Sequence, residues 1–187
     1  TAKGEGSRIG TMLPATLQEI VDEKRREVAA RKERLSFAEL EAMVAQQEPA
    51  RNLFASVVRH PNGFQTSVIA EVKRRSPSAG WIRPEYEGDG FRPEDIARAY
   101  ETNGASAISC LTDEKFFGGR LEYVQRIRDV VGLPVLRKDF LIDPWQLWES
   151  RAAGADAVLL IAECLTTSEL LDMLILSQQL QMTVLLE

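Results

Sequence analysis

The chain has 187 residues, 44% of them hydrophobic, enough to build one domain around a buried core. With 28 acidic against 23 basic side chains and a net charge of -5, it lacks the basic excess of a nucleic-acid binder. No apolar run approaches the ~18 residues that cross a bilayer, and Cys110 and Cys164 read as buried, reduced thiols of a cytoplasmic protein, without metal or disulfide spacing.

Residues 1–11 are rich in Gly, Lys, Ser and Arg and have no apolar stretch, so they read as a disordered leader. Residues 12–66 read as a helical extension. Thr16 with Glu19, and Ser36 with Glu39, each fit a capping box, in which hydroxyl and carboxylate satisfy free backbone donors at a helix start. The first helix is predicted to run to about Arg34. It is highly charged, with Leu17, Ile20, Val21 and Val28 on a partial stripe, so it is expected to lie on the surface and form no core. A short helix is expected around 53–58. His60, the only histidine, stands beside Pro61 without a His/Cys partner spacing and reads as structural or merely exposed.

From residue 67 the texture changes to alternating strand and helix. Apolar strands are predicted at 68–72, 107–111, 134–136, 157–161 and 183–186. Helices are predicted at 93–103 and 121–131. A third starts after Asp143, with Pro144 at its first position, and a fourth runs from the capping box Thr166/Glu169 to about Leu180. The phrase NGASAI (103–108) returns as AGADAV (153–158). Each time a helix ends, Gly takes the left-handed position after it, and a strand begins. Iterated units of this kind build a parallel sheet with right-handed crossovers, doubly wound or closed as a (β/α)8 barrel. No Gly-x-Gly-x-x-Gly follows the first strand, and charged residues sit at the ends of strands one, three and five. Both features favour the barrel, whose site is built from the C-terminal ends of several strands.

Strand alternation puts Glu71 and Lys73 on one face of strand one. Lys138 shares a face with Leu136 on strand three, and Glu187 with Leu185 on strand five. The expectation is one cup in which Glu71 and Glu187 lie on opposite sides of Lys138. Burial and opposite charges would balance there and poise proton donors and acceptors near neutral pH. That is proton-transfer chemistry on a small organic anion, and it calls for no metal. The cationic run Lys73-Arg74-Arg75 reads as a solvated strand end or as a phosphate contact.

Four segments carry a resemblance: VIAEVKRRSPS (68–78), ISCLTDEKFFG (108–118), PVLRKDFLIDP (134–144) and ADAVLLI (155–161). In this order they resemble indole-3-glycerol phosphate synthases. The resemblance implies a (β/α)8 barrel of the ribulose-phosphate-binding type with an N-terminal helical extension, 67–187 supplying its first five βα units. It implies a carboxy-lyase without cofactor that takes a phosphorylated, anthranilate-derived small molecule to indole glycerol phosphate, carbon dioxide and water. Lys138 looks like the general acid of ring closure. Glu71 and Glu187 look like the acid–base pair of the later proton transfers, and Lys73 like an anion ligand with an acid role. Pro77, Phe117, Leu136, Phe140 and Leu159 look like the wall around the aromatic ring, the alternative for each being ordinary core. Ser76 looks like a cap or hydrogen-bond partner at the mouth.

The segment 83–91 reads as longer and more Gly-rich than the family's mobile loop after strand one. The sequence given stops at the fifth strand, so the phosphate loops that the resemblance places after strands seven and eight are expected elsewhere. A complementing half-barrel, or self-association through open sheet edges, is expected for these residues alone. Two other readings compete: an inert half-barrel, and another phosphate-binding barrel such as phosphoribosylanthranilate isomerase. The latter uses a Cys/Asp pair, against which Glu71, Lys73 and Lys138 argue.

Overall fold

The computed structural model describes residues 15–59 and 66–187. The expected leader and His60 lie outside the described residues. Three helices come first, α1 (Ala15–Lys32), α2 (Phe37–Ala45) and α3 (Leu53–Val58). A parallel sheet follows, made of β1 (Ile69–Val72), β4 (Ala107–Leu111), β5 (Val135–Lys138), β6 (Ala157–Leu160) and β7 (Thr183–Leu186). A small antiparallel pair, β2 (Arg75–Ser76) with β3 (Gly80–Trp81), lies beyond β1. The crossovers carry α4 (Pro93–Thr102), α5 (Glu114–Phe117), α6 (Glu122–Arg128), α7 (Pro144–Ala152) and α8 (Thr167–Gln179). Among the described residues no helix is long and apolar enough to cross a membrane.

The sheet order is β1-β4-β5-β6-β7, the order of the chain itself. Sequential order with crossovers of one hand puts the covering helices on one side, as in an arc of a barrel wall. Alternation then sorts the side chains. Val72, Ile108, Cys110, Val135, Val158 and Leu160 face the helices and pack with residues such as Ala97, Ile127, Leu147 and Met173. Ile69, Ala107, Leu136 and Ala157 share the other face, where Leu53 and Val57 of α3 close over them. The two repeated joints hold as expected, with Gly104 at φ 86° and Gly154 at φ 85°, a backbone region that glycine enters without a steric cost.

The capping box of α2 forms in full: Ser36 Oγ accepts from Glu39 N at 3.3 Å, and Ser36 N donates to Glu39 Oε2 at 2.8 Å. The box starting α8 forms likewise between Thr166 and Glu169. The Thr16 box does not, because α1 already includes Ala15 and Thr16 lies inside the helix.

The expectation that α1 forms no core is corrected. Ile20, Val21 and Val28 are buried, and Val28 joins Leu40, Trp145 and Ala152 in a second apolar cluster between the extension and α7. The charged residues do not prevent this, because several have partners on the barrel. Lys32 Nζ pairs with Asp143 Oδ2 at 2.6 Å and Arg31 Nη1 with Glu149 Oε1 at 3.2 Å. Trp145 Nε1 donates to Leu35 O at 3.1 Å. Arg51, between α2 and α3, donates to the carbonyls of Val131 (2.8 Å), Leu133 (2.9 Å) and Arg128 (3.2 Å), and its backbone N–H to Asp156 Oδ1 at 2.8 Å.

Leu40 sits at 0% exposure in the cluster that joins the extension to α7. Leu40→Ala should lower the unfolding free energy by about 2–5 kcal/mol, as for other buried leucines. Denaturant titration checks this, and a loss within error of zero would show that the extension does not contribute to the cooperative unit.

Candidate active site

The first candidate side chains come from the C-terminal ends of β1 and β5. In register, Glu71 pairs with Ser109 of β4, and Ser109 with Leu136 of β5. Lys138, two residues on from Leu136, shares that face and reaches across β4. Lys138 Nζ donates to Glu71 Oε2 at 3.2 Å, and Lys73 Nζ lies 2.7 Å from Glu71 Oε1. Each oxygen of one carboxylate therefore has its own ammonium group. All three side chains are about one-third exposed, so the clasp opens to solvent on one side.

Burial alone raises the pKa of Glu71. The hydrogen bond from Lys73 and the charge of Lys138 overcome this and hold the carboxyl below its usual range. The expected balance near neutral pH is corrected at this residue: two cations against partial burial leave Glu71 ionised.

The loops around the clasp are ordered by their own polar contacts. Ser76 Oγ accepts from Ala79 N at 3.1 Å and closes the β2–β3 turn, which presents Pro77 exposed. Arg74 donates through Nε to Tyr86 O at 2.6 Å and also to Gly88 O, and lies 4.9 Å from the Trp81 ring. Arg75 donates to Lys115 O at 2.6 Å and to Phe116 O at 3.3 Å. The cationic run thus ties the segment after β1 to its neighbours. Residues 83–91 are held as two short turns, Pro84–Tyr86 and Gly88–Gly90, with Tyr86 edge-on to Phe91 at 5.0 Å. Phe117, at the end of α5, and Phe140, just past β5, bring their rings to 6.3 Å between centroids.

Behind this face lies a buried ionic cluster. Asp139, between Lys138 and Phe140, is 3% exposed. Its Oδ2 accepts from Thr112 Oγ1 at 2.7 Å and from Arg137 Nη2 at 3.1 Å, and its Oδ1 from Phe140 N at 2.8 Å. Lys24 Nζ, arriving from α1, lies 3.0 Å from Asp139 Oδ1 and 2.9 Å from Asp113 Oδ2. Arg137 also meets Glu149 Oε2 at 2.9 Å. Burial raises the Asp139 pKa, but Arg137 and then Lys24 force it far below the ordinary carboxylate range.

The family profile described as Indole-3-glycerol phosphate synthase matches residues 17–187. The chain belongs to the indole-3-glycerol phosphate synthase family. A relative with that description from Acidithiobacillus ferrooxidans is 47% identical over 171 residues, 91% of this chain and 63% of the relative. One from Neisseria meningitidis is 46% identical over 91% of this chain and 64% of its own length. One from Rhodopirellula baltica is 45% identical over 84% and 58%. The chain thus spans a little under two-thirds of the length of these relatives. The fold of this family is the (β/α)8 barrel, and the five sequential parallel strands form an arc of it.

Of the residues singled out from the synthase-like motifs, Glu71, Lys73 and Lys138 come together directly. Phe117 and Phe140 flank each other, and Ser76 caps its turn. Leu136 is 1% exposed and packed under Leu53, and Leu159 is 2% exposed. Glu187 follows β7. Its backbone continues the pairing, donating to Leu160 O at 3.0 Å and accepting from Ala162 N at 2.8 Å, and the residue is exposed. Sequence reasoning did not single out Lys24, Asp113, Thr112 or Asp139. It also passed over Ser109, whose buried Oγ, in register with Glu71, has no hydrogen-bond partner among the described residues. The alternation that selected Lys138 would have found Ser109, whereas Lys24 needed knowledge of where α1 docks.

Two titrations follow. Lys138→Met removes one of the two cations on Glu71, so the Glu71 carboxyl should titrate at higher pH, read by carbon NMR of the labelled side chain. An unchanged titration would show that Lys138 is not a cause of the depression. For Asp139 the folded pKa lies below the unfolded one, so its contribution is complete above about pH 4 and lost as pH falls towards the folded value. Asp139→Asn should be less stable at pH 7 yet lose less on acidification below pH ~4, measured by denaturant titration across that range.

Proposed function

We propose that the protein closes an indole ring in the cytoplasm, converting 1-(2-carboxyphenylamino)-1-deoxyribulose 5-phosphate to indole-3-glycerol phosphate, carbon dioxide and water. The observation that carries this reading is the clasp of Lys138 and Lys73 on Glu71, formed across β4 at the C-terminal ends of β1 and β5. Family membership and the paired rings of Phe117 and Phe140 support it.

The chemistry needs an acid at the ketone, an aromatic slot and a base for the last step. The Lys138 ammonium donates to the ketone oxygen and makes its carbon electrophilic. The ring carbon that bears the carboxylate attacks it, and a carbon–carbon bond forms. The bond to carbon dioxide then breaks and its electron pair restores the aromatic ring. The former ketone oxygen is now a hydroxyl on the new five-membered ring. It leaves as water after receiving a proton, while the neighbouring methylene gives one up. Glu71 rests ionised, so it enters as the acceptor of that methylene proton. Lys73, already poised against Glu71, binds the anionic substrate and donates the proton to the departing hydroxyl. Glu187 serves as the partner carboxylate across the mouth. Phe117 and Phe140 hold the anthranilate ring so that the attacking carbon faces the ketone, and Pro77 completes the wall, with the buried Leu136 and Leu159 packed behind it.

The test is conversion of the synthetic arylamino deoxyribulose phosphate by the full-length protein, followed by indole fluorescence. Lys138→Ala should lower kcat by roughly 10²–10⁴-fold with the fold retained. Lys138→Arg should fail as well, because a guanidinium does not release its proton near pH 7. Activity of Lys138→Ala within about tenfold of the parent would remove the general-acid assignment.

A further inference from the structure

Lys24 belongs to the N-terminal extension, yet it is among the most deeply buried side chains, at 2% exposure. Its ammonium group contacts three carboxylates: Glu27 Oε2 at 2.8 Å, Asp113 Oδ2 at 2.9 Å and Asp139 Oδ1 at 3.0 Å. The last two belong to the loops after β4 and β5. Each fixes backbone beside an aromatic residue. Asp113 caps α5, its Oδ1 accepting from Phe116 N at 2.7 Å and Phe117 N at 3.3 Å. Asp139 Oδ1 accepts from Phe140 N at 2.8 Å. A continuous relay results: amide of Phe117, carboxylate of Asp113, ammonium of Lys24, carboxylate of Asp139, amide of Phe140.

The relay's two ends carry the rings that stand 6.3 Å apart, Phe140 lying two residues on from Lys138. Asp139 has other charge compensation from Arg137 at 3.1 Å. Asp113 Oδ2 has no well-directed hydrogen bond, and Lys24 is the cation beside it. Without Lys24 two buried carboxylates would face each other across an empty position, and like charges in such a setting repel strongly. The cap of α5 and the end of β5 would then move apart.

We propose that Lys24 is a positioning residue: by drawing Asp113 and Asp139 together it sets the spacing of Phe117 and Phe140, and with it affinity for the aromatic part of the substrate. The effect on substrate affinity rests on the ring-closure reading, whereas the spacing of the rings rests on geometry alone.

The test uses Lys24→Met in the full-length protein, with two readouts. Amide hydrogen exchange at Phe116, Phe117 and Phe140 should quicken by at least about tenfold, with amides of α8 unchanged. KM for the arylamino deoxyribulose phosphate should rise at least about tenfold, with a smaller fall in kcat per folded molecule, because misplaced binding groups weaken substrate capture. A purely structural lysine would lower the folded fraction and leave KM unmoved. Should Lys24→Met not fold, Lys24→Met with Asp113→Asn removes the excess buried charge and keeps an N-cap, and both shifts are expected in the same direction but smaller, since the bridge is lost without the repulsion. Unchanged exchange at the three amides, or a KM within about twofold of the parent in a folded variant, overturns the proposal. If the parent itself gives no indole product, the ring-closure reading fails, and the exchange experiment still decides the role of Lys24.

Discussion

The buried carboxylate of Asp139 is the interaction on which the rest of this structure rests. It accepts from a threonine hydroxyl, a guanidinium and the next backbone amide, and it faces an ammonium group from another part of the chain. A carboxylate this deep is tolerated only because both oxygens are engaged and two cations offset its charge. Its position in the chain is what gives it reach. Lys138 precedes it and Phe140 follows it, so fixing Asp139 fixes where the end of β5 points. Arg137, facing the helices, binds Glu149, which also takes Arg31. One ionic cluster thus joins the sheet, α7 and the extension.

The exposed clasp and the buried cluster use the same kinds of group for different ends. Around Asp139 the charges are sealed, and the pairing fixes geometry. Around Glu71 about a third of each side chain meets solvent, so an incoming anion can compete for the two lysines. Surface-accessible ion pairs contribute little to stability, and rearranging them is correspondingly easy. A sealed cluster beneath an open one gives a solvent-accessible ionic layer on a rigid support.

Much of this was legible in the sequence wherever a local rule applied. Period-two alternation put Glu71 and Lys138 on one face, and they touch. Two hydroxyl–carboxylate boxes start their helices, and the repeated Gly-Ala joints turn where expected. The β2–β3 hairpin and α5 escaped because they are two to four residues long, too short for any periodic signal. The burial of α1 escaped for another reason. Read alone, Lys24, Arg31 and Lys32 describe a solvated face. Their partners Asp139, Glu149 and Asp143 lie more than a hundred residues away, and no local pattern reports a charge neutralised at that distance. The ionisation of Glu71 escaped similarly, since its sign depends on how many cations reach it against how much water is lost.

That separation has a kinetic side. Arg31 and its partner Glu149 stand 118 positions apart. Ribosomes add about 5–20 residues per second, so the extension is exposed for roughly 6–24 s before the surface it docks on has been made. During that time its apolar stripe and cationic face have no native counterpart. The high charge of α1 then acts as a solubilising coat on a segment that must wait, and the same side chains become the latch when α7 arrives.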